Sequence, residues 1–176
     1  LILPVLAAVG SPAMALLPAL AQQLQPEDAA ALALPLLFAR SMGQLCGPIL
    51  LKRDSLPRLT AHTPLLMLCL SLFLAAYGVI PFLSGWMVCA LGMIFIAHLA
   101  SNVVFAVGTY GVLSNFHSTQ TASASGKVWR WQTLSASLFT GIAAALTAAL
   151  EALQAMYIVS AGALLLAALV MFRYRE

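Results

Sequence analysis

Charge is what this chain has least of. Only 7% of its 176 residues are Asp, Glu, Lys or Arg, against roughly 25% in soluble domains. With 62% hydrophobic residues beside them, a water-soluble fold is excluded and a lipid bilayer becomes the expected solvent. Closely paired cysteines are absent too. Cys46, Cys69 and Cys89 lie in separate apolar stretches, which excludes a zinc or dithiol motif and leaves them as small buried hydrophobes. Alternating segments of about ten residues are missing, which excludes a membrane barrel. There is no initiator methionine and no basic leader before the first apolar run, so the chain reads as part of a longer one. Apolar segments along the whole length exclude a cleavable signal as their explanation.

What is present is a series of six apolar stretches, approximately 1 to 24, 29 to 51, 64 to 81, 83 to 113, 128 to 150 and 152 to 172. Each meets or approaches the roughly 20 helical residues that cross about 30 Å of hydrocarbon. The expected fold class is therefore all-α: a polytopic membrane protein with six transmembrane helices in a single bundle spanning residues 1–176.

The loops orient it. Lys52, Arg53, Arg58 and His62 follow the second stretch, His117, Lys127 and Arg130 the fourth, and Arg173 and Arg175 the sixth. The other side carries Glu27 and Asp28, an uncharged turn from Val79 to Gly85, and Glu151. Basic loops gather on the cytoplasmic side of membrane proteins, so both termini are predicted to be cytoplasmic. The net charge of +3 is used up as an orientation signal, and a nucleic-acid partner is not expected.

The first stretch carries Pro4, Pro12 and Pro18, and the second Pro35 and Pro48, so bent helices are expected there. Gly43 and Gly47, four apart, permit close helix approach. The run Ser118 to Ser125 has the composition of a flexible loop. No repeat joins the two halves letter by letter.

Arg40 stands at the middle of the second stretch as its only charge, and none of the six stretches contains an Asp or Glu to neutralise it. A guanidinium does not deprotonate in proteins, and at the bilayer centre it costs several kcal/mol on the gentler scales. Its counter-charge must come from a bound anion, another part of the full protein, or water. Gln44 lies one turn further on the same face. The fourth stretch adds His98, Ser101 and Asn102, with Tyr110 two turns on, and the fifth adds Gln132 and Ser135. Arg40, Gln44, His98, Asn102 and Gln132 are the predicted substrate-contacting set, lining one polar cavity. Hydrogen bonding between packed helices is the competing account, favoured for Ser101, Ser135 and Gln132.

The stretch Gly43-Gln44-Leu45-Cys46-Gly47-Pro48-Ile49-Leu50-Leu51-Lys52-Arg53 leading to Arg58 ends a helix in small residues and enters a short basic loop. Ser125-Gly126-Lys127-Val128 opens the fifth stretch with a Gly-basic-apolar start. In both respects the chain resembles the C-terminal six-helix half of a major facilitator superfamily transporter, over nearly all of its length. It differs in having Leu51 before Lys52, Asp54 after Arg53, and Leu56-Pro57-Arg58 where the family carries a Gly-Arg pair.

The resemblance implies alternating access around a midplane site between two six-helix bundles, the other being an N-terminal half or a second subunit. It implies a secondary transporter of a small organic solute in the inner (cytoplasmic) membrane, with no cofactor or metal. Arg40 makes that solute an anionic or carboxylate-bearing one, and His98 becomes a candidate for proton coupling. Two rivals stand beside it. One is a scaffold or sensor that keeps the bundle without turnover. The other is an intramembrane hydrolase, since Ala97-His98 followed by Ser101 resembles the histidine helix of rhomboid proteases; that chemistry needs a Gly-x-Ser-Gly helix start, absent upstream.

Overall fold

A computed structural model describes residues 2–83 and 85–173, the side chains of 172 and 173 excepted. Arg175, named above, and residue 1, where the first stretch begins, lie outside the described residues. Every regular element among the described residues is helical. Seven α-helices follow in order: α1 (Ile2–Leu24), α2 (Ala29–Ile49), a short α3 (Leu56–Ala61), α4 (Thr63–Val79), α5 (Met87–Ser114), α6 (Ser118–Leu146) and α7 (Ala152–Arg173).

Local signals set the boundaries. Asp28 caps α2, its Oδ1 accepting from the Ala31 amide at 3.2 Å, which satisfies one orphan donor of the first turn. Pro64 opens α4 where a missing amide proton costs nothing. Gly85 adopts φ +87° between a 3₁₀ turn, Ile80–Leu83, and α5, a left-handed conformation for which glycine is suited.

Five segments are long and apolar enough to cross a membrane: Ile2–Leu24, Pro26–Ile49, Thr63–Leu83, Met87–Ser114 and Ala152–Met171. The chain is thus a multi-pass membrane protein. α6 is as long as these, yet Arg130, Gln132 and several hydroxyls dilute its apolar character, so it is not among the five. The loop expected over Ser118 to Ser125 is corrected: those residues form the first two turns of α6. No Gly or Pro interrupts them, and Thr121 Oγ1 donates back to the His117 carbonyl at 3.0 Å, so their middling helix propensity suffices. The cysteine reading is corrected in part, because Cys46 and Cys69 are half-buried and Cys89 is exposed.

The packing is ordered by two close backbone contacts. A side chain added at Gly43 would collide with the Phe95 carbonyl oxygen of α5, and one at Gly47 would come within 2.8 Å of Asn102 Cβ and the Leu99 carbonyl. Residue numbers rise together along both helices, so α2 and α5 run parallel. Two antiparallel neighbours, α1 and α2, precede, so α5 runs against α1. Contacts follow that inversion. Exchanging α1, α2, α4 for α5, α6, α7 turns the α1–α6 contact into α2–α5, α4–α5 into α1–α7, and α1–α2 into α5–α6; the α4–α7 contact maps onto itself. Of the remaining pairs, α6–α7 and α1–α4 have no counterpart.

α7 ties the centre. Tyr157 Oη donates to the Leu74 carbonyl of α4 at 2.6 Å, and Ser160 Oγ donates to the Val9 carbonyl of α1 at 2.8 Å. Val9 lies one turn before Pro12, which offers no amide proton to the Ala8 carbonyl. Hydroxyls from neighbouring helices satisfy backbone in this way around membrane prolines.

Gly43→Ala is expected to destabilise the protein by about 1–3 kcal/mol, the cost of overpacking. Gly141→Ala, at an α6 position with nothing near an added Cβ, should be neutral or stabilise by up to about 1 kcal/mol. Equilibrium unfolding in detergent would distinguish the two.

Candidate functional site

Arg40 is the twelfth of the 21 residues of α2, about 14 Å from the nearer helix end at 1.5 Å per residue. The buried stripe of α2 is Leu32, Leu36, Ala39, Gly43 and Gly47, facing α5. The opposite face exposes Leu34, Phe38, Leu45 and Ile49. Arg40 stands on the flank between them, half-buried beside Leu37 and Gln44. Its Nε is fully buried and has no hydrogen-bond partner. An unpaired buried donor costs about 1–3 kcal/mol, more when charged.

Across the interface, His98 is 1% exposed on α5. Its Nε2 lies 2.8 Å from Tyr77 Oη of α4, and its Nδ1 is buried without a partner. Phe73 packs edge-on against the imidazole, centroids 5.4 Å apart, and tilts against Tyr77 at 4.9 Å. Aromatic geometry of this kind fixes ring orientation. Whichever ring nitrogen carries the proton, at least one polar position of the pair stays unmatched: with Nε2 accepting, Nδ1–H is orphaned, and with Nε2 donating, the Nδ1 lone pair and the phenol proton are. Arg40 stands three residues before Gly43, where an added Cβ would lie 3.1 Å from His98 Cβ. Tyr77 and His98 therefore form a buried polar pair joining α4 and α5, with Arg40 half-buried on the neighbouring flank of α2.

The remaining expected residues fall differently. Asn102 is partly buried beside Gly47 and turns back to donate to the His98 carbonyl at 3.1 Å. Ser101 does the same at 3.0 Å, so its hydroxyl is spent on its own backbone and not on the imidazole. Gln44 is half-buried, one turn beyond Arg40. Gln132 is set apart: it lines a cavity of about 160 Å³ between α1, α5 and α6 with Leu3, Phe105, Thr109 and Trp129. Arg40, Gln44, His98 and Asn102 are not among the residues lining that cavity.

Tyr77 is the residue that sequence reasoning missed. It belongs to a helical stripe with Leu66, Leu70, Phe73 and Leu74, and a tyrosine inside such a stripe needs a hydrogen-bond partner. That was the available signal. No group of three or more His, Cys, Asp or Glu among the described residues could hold a metal ion. Compared with known proteins, the chain matches no family model, no curated protein and no solved structure.

Tyr77→Phe should destabilise by about 1–2 kcal/mol through the orphaned imidazole, and His98→Ala by about 3 kcal/mol or more through the cavity it leaves between Phe73 and Tyr77. In a double-mutant cycle the two should couple by at least about 0.5 kcal/mol. Additive losses would mean that the bond contributes nothing.

Proposed function

We propose that this chain is one six-helix bundle of a secondary transporter, of the major facilitator type, carrying a small organic anion across the cytoplasmic membrane. The observation that carries this reading is the Arg40 Nε, buried at mid-depth with no partner. A permanent cation in that position calls for a negative group that comes and goes, because a fixed carboxylate is absent from every apolar helix of the chain. On this reading α6 is the sixth span, crossing from Lys127 onward with its first turns in the cytoplasm, and both termini are cytoplasmic.

The contact pattern supports the same reading. Inverted three-helix repeats nested in a six-helix half are a recurrent transporter architecture, with the site near the midplane of the repeat interface. The α1–α6 and α2–α5 pairs are related by such an inversion, and Arg40 and His98 sit on the second of them. Arg40 binds the anionic group, His98 carries a proton or a substrate hydrogen bond, and Tyr77 holds the imidazole in place. The groove beside Gln132 and Trp129 belongs to the pathway wall. A second six-helix bundle completes the site.

Flux of small carboxylates into proteoliposomes containing the complete protein tests this. Arg40→Ala is expected to lower uptake at least about tenfold, since a hydrogen bond to a charged group contributes about 1.5–3 kcal/mol and 1.4 kcal/mol is a factor of ten. His98→Ala should lower or uncouple proton-driven uptake. Unchanged transport by both variants removes the proposed site.

A further inference from the structure

The connection between α2 and α4 is more than a loop. Its six-residue helix α3 is pinned from below: Leu56 and Leu59 pack onto the cluster of Leu66, Leu70, Val104 and Val107, and α3 lies against α5, with Thr60 facing Gly111. Side-chain bonds tighten its turns, Ser55 Oγ to the Lys52 carbonyl at 2.7 Å and Thr60 Oγ1 to the Pro57 carbonyl at 2.8 Å. The connection is therefore a fixed shelf across one end of the bundle.

Its outer surface is cationic. Lys52, Arg53 and Arg58 are all exposed, and Asp54 is the only carboxylate between Leu51 and His62. Directly beneath, the last turn of α2 and the first of α4 expose large apolar side chains: Ile49 is 74% exposed, Leu50 63% and Leu65 40%. Three cations on a rigid ledge above an uncovered apolar edge match one class of partner on both counts. An anionic phospholipid places its phosphate at the basic residues and its acyl chains along the apolar edge. A soluble acidic protein or a nucleic acid would satisfy the charge without using the apolar edge.

We infer that the α3 shelf is a docking surface for anionic phospholipid headgroups, held by Lys52, Arg53 and Arg58. It lies at the end of the bundle, away from Arg40 and His98, and does not depend on what the protein transports.

Native mass spectrometry of the intact protein, with phosphatidylglycerol and phosphatidylcholine supplied in equal amounts, reads the preference directly. Phosphatidylglycerol should be retained in excess. Each basic residue near an anionic surface contributes several-fold, so Lys52→Gln/Arg53→Gln/Arg58→Gln should reduce the excess at least about tenfold, while Lys127→Gln/Arg130→Gln should leave most of it. Raising the salt concentration on the unaltered protein should shrink the excess in the same direction, independently of any effect of substitution on folding. Equal retention of the two lipids, an excess insensitive to salt, or one abolished by the α6 substitutions and kept by the shelf substitutions would overturn the assignment.

Discussion

An arginine that keeps its proton, at the centre of a helix built to lie in hydrocarbon, is the constraint around which the rest of this bundle is arranged. Hydrocarbon offers Arg40 nothing, and the apolar helices offer no acid. The chain manages the charge by geometry. Gly43 and Gly47 let α2 press its backbone against α5, which draws the flank carrying Arg40 in toward Tyr77 and His98. The Nε of Arg40 is buried there while the residue as a whole stays half-buried. Phe38, two residues earlier, is 68% exposed on the outer face. A rotation of α2 by half a turn would exchange them.

The polar atoms of the interior divide into two kinds. Ser160, Tyr157, Ser101 and Asn102 each find a backbone carbonyl, as buried hydroxyls and amides are expected to. Two of these bonds cross from α7 to α1 and α4, and the one to α1 falls on Val9, next to the Ala8 carbonyl that Pro12 leaves without an amide donor. Arg40 Nε and His98 Nδ1 are the exceptions. They come from helices in direct contact.

Much of the helical framework was legible in the amino-acid order, because twenty-residue apolar runs between polar loops leave a backbone in lipid few alternatives to helix. The ends of α1, α2 and α7 fall within a few residues of the expected limits. Ser118 to Ser125 was misread because serine and threonine favour turns and caps as readily as helices, and only their back-bonding to preceding carbonyls decides the matter. α3 escaped notice since six residues show too little periodicity to register. Within the site, Arg40 and His98 announced themselves by polarity. Tyr77 did not, because its role comes from an imidazole 21 residues away on another helix. Gln132 shows the converse: comparable depth along two helices does not place two residues on one wall.

The central claim is that position 40 looks into an aqueous path and not at acyl chains. In the complete protein with Cys46, Cys69 and Cys89 replaced by serine, the reactivity of Arg40→Cys toward a membrane-impermeant charged thiol reagent tests it, with Phe38→Cys as the lipid-facing reference. The account predicts that the cysteine at 40 is labelled and that the one at 38 is not, with labelling at 40 slowed by a transported anion. A cysteine at 40 that stays as unreactive as the one at 38 would contradict it.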